Sequence, residues 1–341
     1  MPNKKLIIGT LIIIGIAFSW VFSTQISQRI QTNDSFSCPF FIIWFSTAWI
    51  LLCLLPPLLQ RKQLSRALQD NELQMKKLFF CSFFFYSLWI IANYLYVWSL
   101  KFMNASDVTA IFSSANAFVF IFSIFLLKEQ VNYIKSASVL LSIGGIVLIA
   151  LANTSFEGSA YGIIFTLISA ISAAFYKVVL KKFLRDPHMI VTSLFLGFLG
   201  IINIFFAWPI VLILTEQKVE ILIFEEVPWG MLFLASLASF FFNLLINFGI
   251  AYTYPLFISI GTIVGIPLNI AVDVLINGAE VGWKQISGAC LIICGFICLL
   301  VNNYLVMQKN DKNEKEKKEV LLVKDFRENE EKSSNDCSAQ N

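Results

Sequence analysis

The chain has 341 residues, of which 57% are hydrophobic and only 14% are charged. An average soluble domain carries about 25% charged residues, so this composition disfavours a water-soluble globular protein. The charge is also uneven, because the last 34 residues hold 8 of the 25 Lys+Arg and 9 of the 22 Asp+Glu. With 7 scattered cysteines, 1 histidine and a net charge of +3, a disulfide-rich secreted protein, a metal-cluster protein and a nucleic-acid binder are disfavoured too.

Ten apolar stretches recur along the chain, each close to the length of about 17 to 25 residues that crosses the hydrocarbon layer as a helix. Helices are expected because backbone polar groups in lipid must bond within their own segment. The polar–apolar alternation of a strand is absent. The ten predicted spans are residues 6–25, 39–59, 78–98, 107–127, 136–151, 161–180, 190–214, 228–248, 255–276 and 286–306.

The positive charges of the loops predict the orientation of these spans. Loops on one side hold twelve Lys and Arg before the tail is counted, and loops on the other side hold four. We therefore expect both termini in the cytosol, in either the plasma membrane or an internal membrane. The Asn-x-Ser/Thr sequons at Asn33, Asn104 and Asn153 all fall on the opposite side, where glycosylation acceptors belong.

The spans divide into two sets of five, residues 1–152 and 153–307, followed by a charged tail at 308–341 that we expect to be disordered. Because each half has an odd number of spans, the halves have opposite orientations, as in secondary transporters that bind substrate near the midplane. The halves echo each other at an offset of about 150, with Asn93 against Asn243 and Gly145 against Gly295. The predicted fold class is an all-α integral membrane protein, with ten transmembrane helices as two inverted five-helix repeats.

Polar residues recur at 3-then-4 spacing on spans 3, 4, 8 and 9, which places them on one face of each helix. Six of them are the candidate lining of a substrate-binding cavity: Trp89, Asn93, Tyr96, Asn116, Asn243 and Asn269. The alternative is that such polar side chains only join neighbouring helices by hydrogen bonds, as in many membrane bundles.

Full charges within the spans are few, and we treat two of them as candidates for gating or coupling. Lys177 lies near the cytosolic end of span 6, where its ammonium group either snorkels to the surface or meets a polar or anionic ligand. Asp273 lies near the outer end of span 9, where it either partners a cation, a proton or Lys284, or is solvated at the rim. Asp107 begins span 4, a position that suits helix capping as well as ligand contact.

The midplane of these inner spans holds amides and aromatic rings but no Arg, Lys, Asp or Glu. Such a lining favours a flat heterocycle, and diffuse positive charge on its ring adds a cation–π attraction of about 2 kcal/mol when desolvated. A diphosphate has no cation to pair with at this depth.

Two other patterns are interpreted as packing. Cys290, Cys294 and Cys298 form an apolar face without His or acidic residues, so no metal site is expected. Gly145 of span 5 and Gly288 of span 10 permit close packing within the chain or a homodimer, and packing within the chain is the simpler interpretation. The sequence has no nucleophile–base pair and no phosphate-binding glycine loop, so we expect neither an enzyme nor a cofactor.

Six short segments and three single residues carry a family likeness: residues 88–96, 106–112, 117–120, 128–129, 176–177 and 253–262, with Pro267, Asn269 and Asp273. They resemble solute carrier family 35, subfamily F, in the EamA-like drug/metabolite transporter superfamily, and are most similar to its thiamine-transporter-like members. The resemblance covers about residues 5–306. It implies a ten-helix carrier with cytosolic termini and thiamine as its solute.

The prediction is thus a multi-pass secondary transporter that moves thiamine, or a similar cationic heterocycle, by alternating access, with that solute and the lipid bilayer as partners. A nucleotide-sugar or phosphorylated-metabolite antiporter of the same fold is the first alternative, and it would depend on Lys177. A membrane scaffold without transport, acting through the charged tail, is an alternative of another class.

Overall fold

A computed structural model describes residues 2–32, 36, 38–70, 74–128, 133–152, 159–184, 189–220, 222–252, 255–295, 297–298 and 301. These residues form helices joined by turns and short irregular segments, and no strand occurs among them. The predicted tail at 308–341 and the sequons at Asn33 and Asn153 lie outside the described residues.

The first half of the chain contains helices α1 to α8. They are α1 (Pro2–Gln31), α2 (Pro39–Ala48), α3 (Leu55–Leu59), α4 (Arg61–Asp70), α5 (Met75–Ser99), α6 (Ala105–Ser113), α7 (Ala115–Leu127) and α8 (Tyr133–Ala152). A 3-10 segment, Trp49–Leu54, joins α2 to α3.

The second half contains helices α9 to α14. They are α9 (Ser159–Leu184), α10 (Met189–Ile202), α11 (Trp208–Glu216), α12 (Trp229–Tyr252), α13 (Pro255–Leu275) and α14 (residues 283–295). A π-helical turn, Asn203–Ala207, joins α10 to α11.

The helical segments include 7 that are long and apolar enough to cross a membrane. They are Leu11–Gln31, Pro39–Leu59, Met75–Ser99, Ala105–Leu126, Ala160–Leu184, Met189–Glu216 and Trp229–Ile246. Two shorter apolar helices, Ser136–Ile149 and Val264–Leu275, lie at predicted spans 5 and 9. Described helix also overlaps predicted span 10, so helical structure occurs at each predicted position.

Several predicted spans are not continuous α-helices. Span 2 passes through its 3-10 segment directly before Pro56 and Pro57, whose nitrogens have no N–H to donate to the preceding turn. Span 7 contains its π-helical turn directly before Pro209, for the same reason. Span 4 is interrupted at Ser114, whose hydroxyl donates a 2.6 Å hydrogen bond to the carbonyl of Ile111.

Helices from opposite ends of the chain pack together. Helix α1 packs against α12 and α13, while α5 packs against α9 and α10, and α6 contacts both α9 and α13. The polar faces of α1, α5, α6 and α13 therefore meet inside the bundle, although they are far apart in sequence.

A close backbone approach joins α8 to α14 through two glycines. A Cβ atom added to Gly145 would lie 2.6 Å from the carbonyl oxygen of Gly288, and one added to Gly288 would lie 2.7 Å from that of Gly145. These glycines therefore pack within the chain, as the simpler interpretation of the sequence expected.

Candidate functional site

A buried polar network joins α1 to α13 at one end of the bundle, here called the Asp273 end. The side-chain amide nitrogen of Gln25 donates hydrogen bonds of 2.8 Å to the Asp273 carboxylate and 3.0 Å to the Asn269 oxygen. Asn277 donates to the Gln25 oxygen over 2.9 Å and to the Asp273 carboxylate over 3.1 Å. These contacts hold the two helices together by polar groups that lipid could not satisfy.

Asp273 also binds the beginning of α6. Its second carboxylate oxygen accepts a 2.8 Å hydrogen bond from the backbone N–H of Ser106. The first N–H groups of a helix have no partner within the helix, and the helix dipole favours a negative charge there. Asp273 is only 1% exposed, so the alternative of a solvated Asp at the rim is wrong. Its carboxylate partners in the described structure are amides and a backbone N–H, and Lys284 is not among them.

The network continues through hydroxyl groups towards α5. The Asn269 amide donates a 3.1 Å hydrogen bond to the hydroxyl of Thr109, which lies 3.2 Å from the hydroxyl of Tyr96. The Tyr96 hydroxyl is also 3.2 Å from that of Thr24 on α1. Three of the predicted site residues, Tyr96, Asn269 and Asp273, therefore belong to one network that connects four helices.

Asp107 makes a separate contact at the same end. Its carboxylate accepts a 2.9 Å hydrogen bond from the side chain of Gln285 on α14, and both residues are buried. Gln285 in turn accepts a 2.7 Å hydrogen bond from the backbone N–H of Gly282. Asp107 also lies in the first turn of α6, where an acid favours the helix.

Trp89 and Asn93 lie on α5 at a half-buried position. The indole N–H of Trp89 points to the hydroxyl of Thr47 over 3.5 Å, and its ring lies 5.8 Å from that of Tyr176, edge to face. The amide of Asn93 donates a 2.7 Å hydrogen bond to the backbone carbonyl of Trp89. Both side chains therefore lie between helices without being fully enclosed.

Asn116 and Asn243 are also half-buried, and each bonds to a backbone carbonyl three or four residues earlier in the chain. The amide of Asn116 donates to the carbonyl of Ser113 over 3.2 Å, and that of Asn243 to the carbonyl of Ser239 over 2.9 Å. With Asn93, three of the predicted amides thus share one arrangement, in which a side-chain N–H binds a backbone carbonyl of the preceding turn. The structure does not bring these three amides into direct hydrogen bonds with one another.

Lys177 lies apart from the network, on the last third of α9 and four residues before Lys181. Its side chain is exposed, and within the described part of the chain it has no hydrogen-bond or ion-pair partner. This position is compatible with snorkelling and with ligand contact alike.

Several residues of the site were not predicted from the sequence, and three of them, Trp20, Thr24 and Gln25, lie on α1. Helix α1 continues to Gln31, six residues past the predicted end of span 1. The signal was present, because Trp20 and Thr24 are one helical turn apart and Gln28 follows Thr24 at the same spacing.

A third buried carboxyl group, that of Glu220, lies outside the spans, between α11 and α12. Glu220 is 3% exposed and accepts a 2.8 Å hydrogen bond from the backbone N–H of Phe40, in the first turn of α2. Burial raises the pKa of this carboxyl from 4.5 to about 7, although hydrogen bonds from the N–H groups of Phe40 and Phe41 and from Tyr94 lower it. Burial, together with the charge of Glu220, raises the pKa of the neighbouring Cys38 thiol to about 12.

Residues 7–151 match the model of the EamA-like transporter family. Human "Solute carrier family 35 member F3" is 33% identical over 315 residues, covering 87% of this chain and 74% of the human protein. Mouse "Solute carrier family 35 member F4" is 34% identical, covering 87% of this chain and 64% of the mouse protein.

A solved crystal structure described only as a protein matches with a TM-score of 0.52, covering 85% of this chain and 95% of that chain. At 16% sequence identity, this likeness concerns the fold alone.

Apolar helices of membrane-spanning length indicate a multi-pass membrane protein, and the match to the EamA-like family makes it a transporter. The chain belongs to solute carrier family 35, subfamily F. The relatives carry the names of solute carriers and not of enzymes.

Proposed function

We propose that this carrier moves thiamine, or a similar flat cationic heterocycle, by alternating access between two five-helix halves. The observation that carries the proposal is the lining of the bundle interior. Trp89, Asn93, Asn116 and Asn243 are half-buried on helices that pack inside the bundle, and none of them is charged. Amides and aromatic rings suit a flat solute with diffuse charge.

The two halves, residues 1–152 and 153–307, form an inverted repeat in this proposal, with ten spans in all. Reciprocal hydrogen bonds support it. The hydroxyl of Ser23 on α1 donates to the carbonyl of Ala235 on α12 over 3.1 Å, and the hydroxyl of Ser169 on α9 donates to that of Ala92 on α5. Ser169 follows Ser23 by 146 residues and Ala235 follows Ala92 by 143, so the offset is shorter than the predicted 150.

A second reciprocal contact supports the same symmetry. A Cβ atom added to Gly145 would meet the carbonyl oxygen of Gly288 and the side chain of Ile292, four residues after Gly288. A Cβ atom added to Gly288 would meet the carbonyl oxygen of Gly145 and the side chain of Ile149, four residues after Gly145. Two antiparallel helices related by a two-fold axis give this pattern. Inverted repeats of this kind place substrate at the interface of the halves.

In this orientation the termini and the tail at 308–341 are cytosolic, and the Asp273 end faces outward or into a lumen. Trp89 and Tyr96 contact the solute ring, while Asn93, Asn116, Asn243 and Asn269 offer hydrogen bonds. The hydrogen bonds of Gln25 to Asn269 and Asp273 support a gating role for Asp273, because they hold α1 against α13 at one end of the bundle. Lys177 takes the corresponding role at the cytosolic mouth.

Uptake of labelled thiamine into proteoliposomes tests the proposal. Wild-type protein should take up thiamine, and Trp89→Ala and Asn243→Ala should each lower uptake at least tenfold, the loss expected from removing about 1.4 kcal/mol of binding. Phe84→Ala is a matched control because Phe84 lies on α5, as Trp89 does, and its side chain is 51% exposed. Normal uptake in both site variants would overturn the site assignment, and absence of wild-type uptake would overturn the solute.

One observation favours the alternative of a nucleotide-sugar or phosphorylated-metabolite antiporter. Lys177 is exposed and has no partner among the described residues, so its ammonium group is available to a phosphate. This alternative predicts inhibition of transport by nucleotide monophosphates and its loss in Lys177→Gln. Thiamine uptake that is unaffected by both changes would reject it.

A further inference from the structure

Trp20, on α1, lies where four other helices meet. Its ring centroid is 4.7 Å from that of Phe242 on α12, 5.4 Å from Tyr96 on α5 and 5.9 Å from Phe112 on α6. On the fourth helix, α13, an added Cβ at Gly265 would lie 3.1 Å from the Trp20 ring. A side chain with neighbours on α5, α6, α12 and α13 does not face lipid.

The indole of Trp20 is nevertheless only half-buried. Large side chains that are packed on all sides in this bundle, such as Phe85 and Phe195, are exposed by less than 2%. The exposed part of Trp20 therefore borders a space between the helices.

The polar edge of this indole is also available. Within the described residues the indole N–H of Trp20 has no hydrogen-bond acceptor, whereas that of Trp44 donates to the carbonyl of Asn203 over 3.2 Å and that of Trp89 lies 3.5 Å from Thr47. Buried tryptophans usually find such a partner. Among these three interior tryptophans, Trp20 is the one whose donor is left for a ligand.

Trp20 lies directly next to the network that closes the Asp273 end. Thr24 is one helical turn further along α1, and its hydroxyl is 3.2 Å from that of Tyr96, whose ring packs against Trp20. A solute in the space between the helices would thus meet the Trp20 ring before it reached the hydrogen bonds of Gln25 and Asp273.

We infer that Trp20 contacts the solute, and that its indole forms the wall of the cavity nearest the Asp273 end. The inference rests on the proposed carrier function and adds a residue to that site. The ligand class is a flat heteroaromatic cation, which stacks on the indole face and offers an acceptor to the indole N–H. Gly265 serves this arrangement because a larger side chain would press on the ring.

The first test is independent of the solute. In Trp20→Cys, a charged, water-soluble thiol reagent should modify residue 20, as read by mass spectrometry of the labelled peptide. Phe18→Cys is the matched control, because Phe18 lies on the same helix, is 60% exposed and faces lipid, where a charged reagent has no access. Modification of residue 18 but not of residue 20 would overturn the inference.

The second test measures thiamine binding by thermal shift of the intact protein. Trp20→Phe keeps an aromatic ring but removes the indole, and we expect its Kd to rise about tenfold, the order of one cation–π contact. Trp98→Phe is the control, because Trp98 stacks on Phe165 with centroids 4.7 Å apart, on the α5–α9 side of the bundle.

The two tests separate the inference from the proposed solute. Labelling at residue 20 without any thiamine binding by wild-type protein would reject thiamine and keep the place of Trp20 in the cavity wall. Thiamine binding that is equal in wild type and Trp20→Phe would reject the contact. A Kd raised equally in Trp20→Phe and Trp98→Phe would likewise reject it, since the effect would then be one of stability.

Discussion

Gln25 and Asp273 are joined by a 2.8 Å hydrogen bond between side chains that lie 248 residues apart in the sequence. The bond ties α1 to α13, and the same carboxylate binds the beginning of α6 through the backbone N–H of Ser106. Three helices are therefore fixed at one end of the bundle by a single buried carboxylate. Movement of any of them away from the others must break a hydrogen bond to a charged group.

Gln25→Leu should weaken the contact of α1 with α13 at the Asp273 end. The substitution removes one of the three donors to the Asp273 carboxylate and places an apolar group beside it, at a cost of about 2 kcal/mol for a hydrogen bond to a charged group. We expect a lower melting temperature in detergent and faster labelling of Ser113→Cys by an impermeant reagent added from the Asp273 end. Gln28→Leu is the control, because Gln28 bonds to backbone groups of Met103 and Ala105 and not to Asp273. Equal effects of the two substitutions would contradict a special role for Gln25.

Glu220 should make the contact between its segment and α2 depend on pH. The pKa of this carboxyl is about 7 when buried and 4.5 ordinarily, so formation of the contact binds a proton. The contact is then fully stabilised below pH 4.5 and weakens as the pH rises through 7. Cys38 reports this change, because its thiol is buried beside Glu220.

The measurement compares alkylation of Cys38 in wild type and Glu220→Gln between pH 5 and 8. Thiol reactivity itself rises with pH, so the ratio of the two rates is the useful quantity. We expect the ratio of wild type to Glu220→Gln to rise several-fold across this range. A constant ratio would mean that protonation of Glu220 does not control access to Cys38.

Gly145→Ala should separate α8 from α14. The added Cβ would lie 2.6 Å from the backbone oxygen of Gly288, which cannot rotate away, so we expect a loss of about 1–3 kcal/mol in the free energy of unfolding. Gly144→Ala is the adjacent control, because its Cβ would make an ordinary contact of 3.9 Å with Leu291. That change should be neutral or stabilising through helix propensity. Equal melting temperatures for the two variants would refute the close contact.

Tyr96→Phe should separate two roles of one residue. The ring contacts with Trp20 and Phe112 remain, while the hydroxyl contacts with Thr24 and Thr109 are lost. We expect a stability loss of about 1 kcal/mol, the net value of an ordinary hydrogen bond, and an unchanged Kd for thiamine. If thiamine binding instead disappears in a folded protein, the hydroxyl itself contacts the solute.

The positions of the helices follow from hydropathy, because lipid demands long apolar segments whatever their partners. Hydropathy does not predict where the helices end, because polar residues can extend a helix when their side chains form hydrogen bonds with other helices. Span 1 shows this: its apolar run fades at Gln25, but α1 continues to Gln31 because Gln25 and Gln28 bond to α13 and to the segment before α6. Gln25 therefore had the appearance of a helix end and not of an interior residue.

Helical spacing also selects residues that share a face without showing what they bind. Asn269 and Asp273 lie on the predicted face, and both are buried in the network. Asn93, Asn116 and Asn243 lie on equivalent faces but donate to backbone carbonyls of the preceding turn, a rotamer choice that sequence spacing does not specify. The sequence thus identified polar faces, whereas the pairing of α1 with α13 required the fold.

If the two halves were identical, a carrier built from them would show no preference between opening to one side and opening to the other. The hydrogen-bond network of Gln25 and Asp273 makes the two ends unequal. In the repeat proposed above, Ile171 stands 146 residues after Gln25, and it is 37% exposed, so an aliphatic side chain takes the place of the buried amide in the second half. In the solute-free state, the protein should therefore be closed at its Asp273 end and open to solute at the Lys177 side.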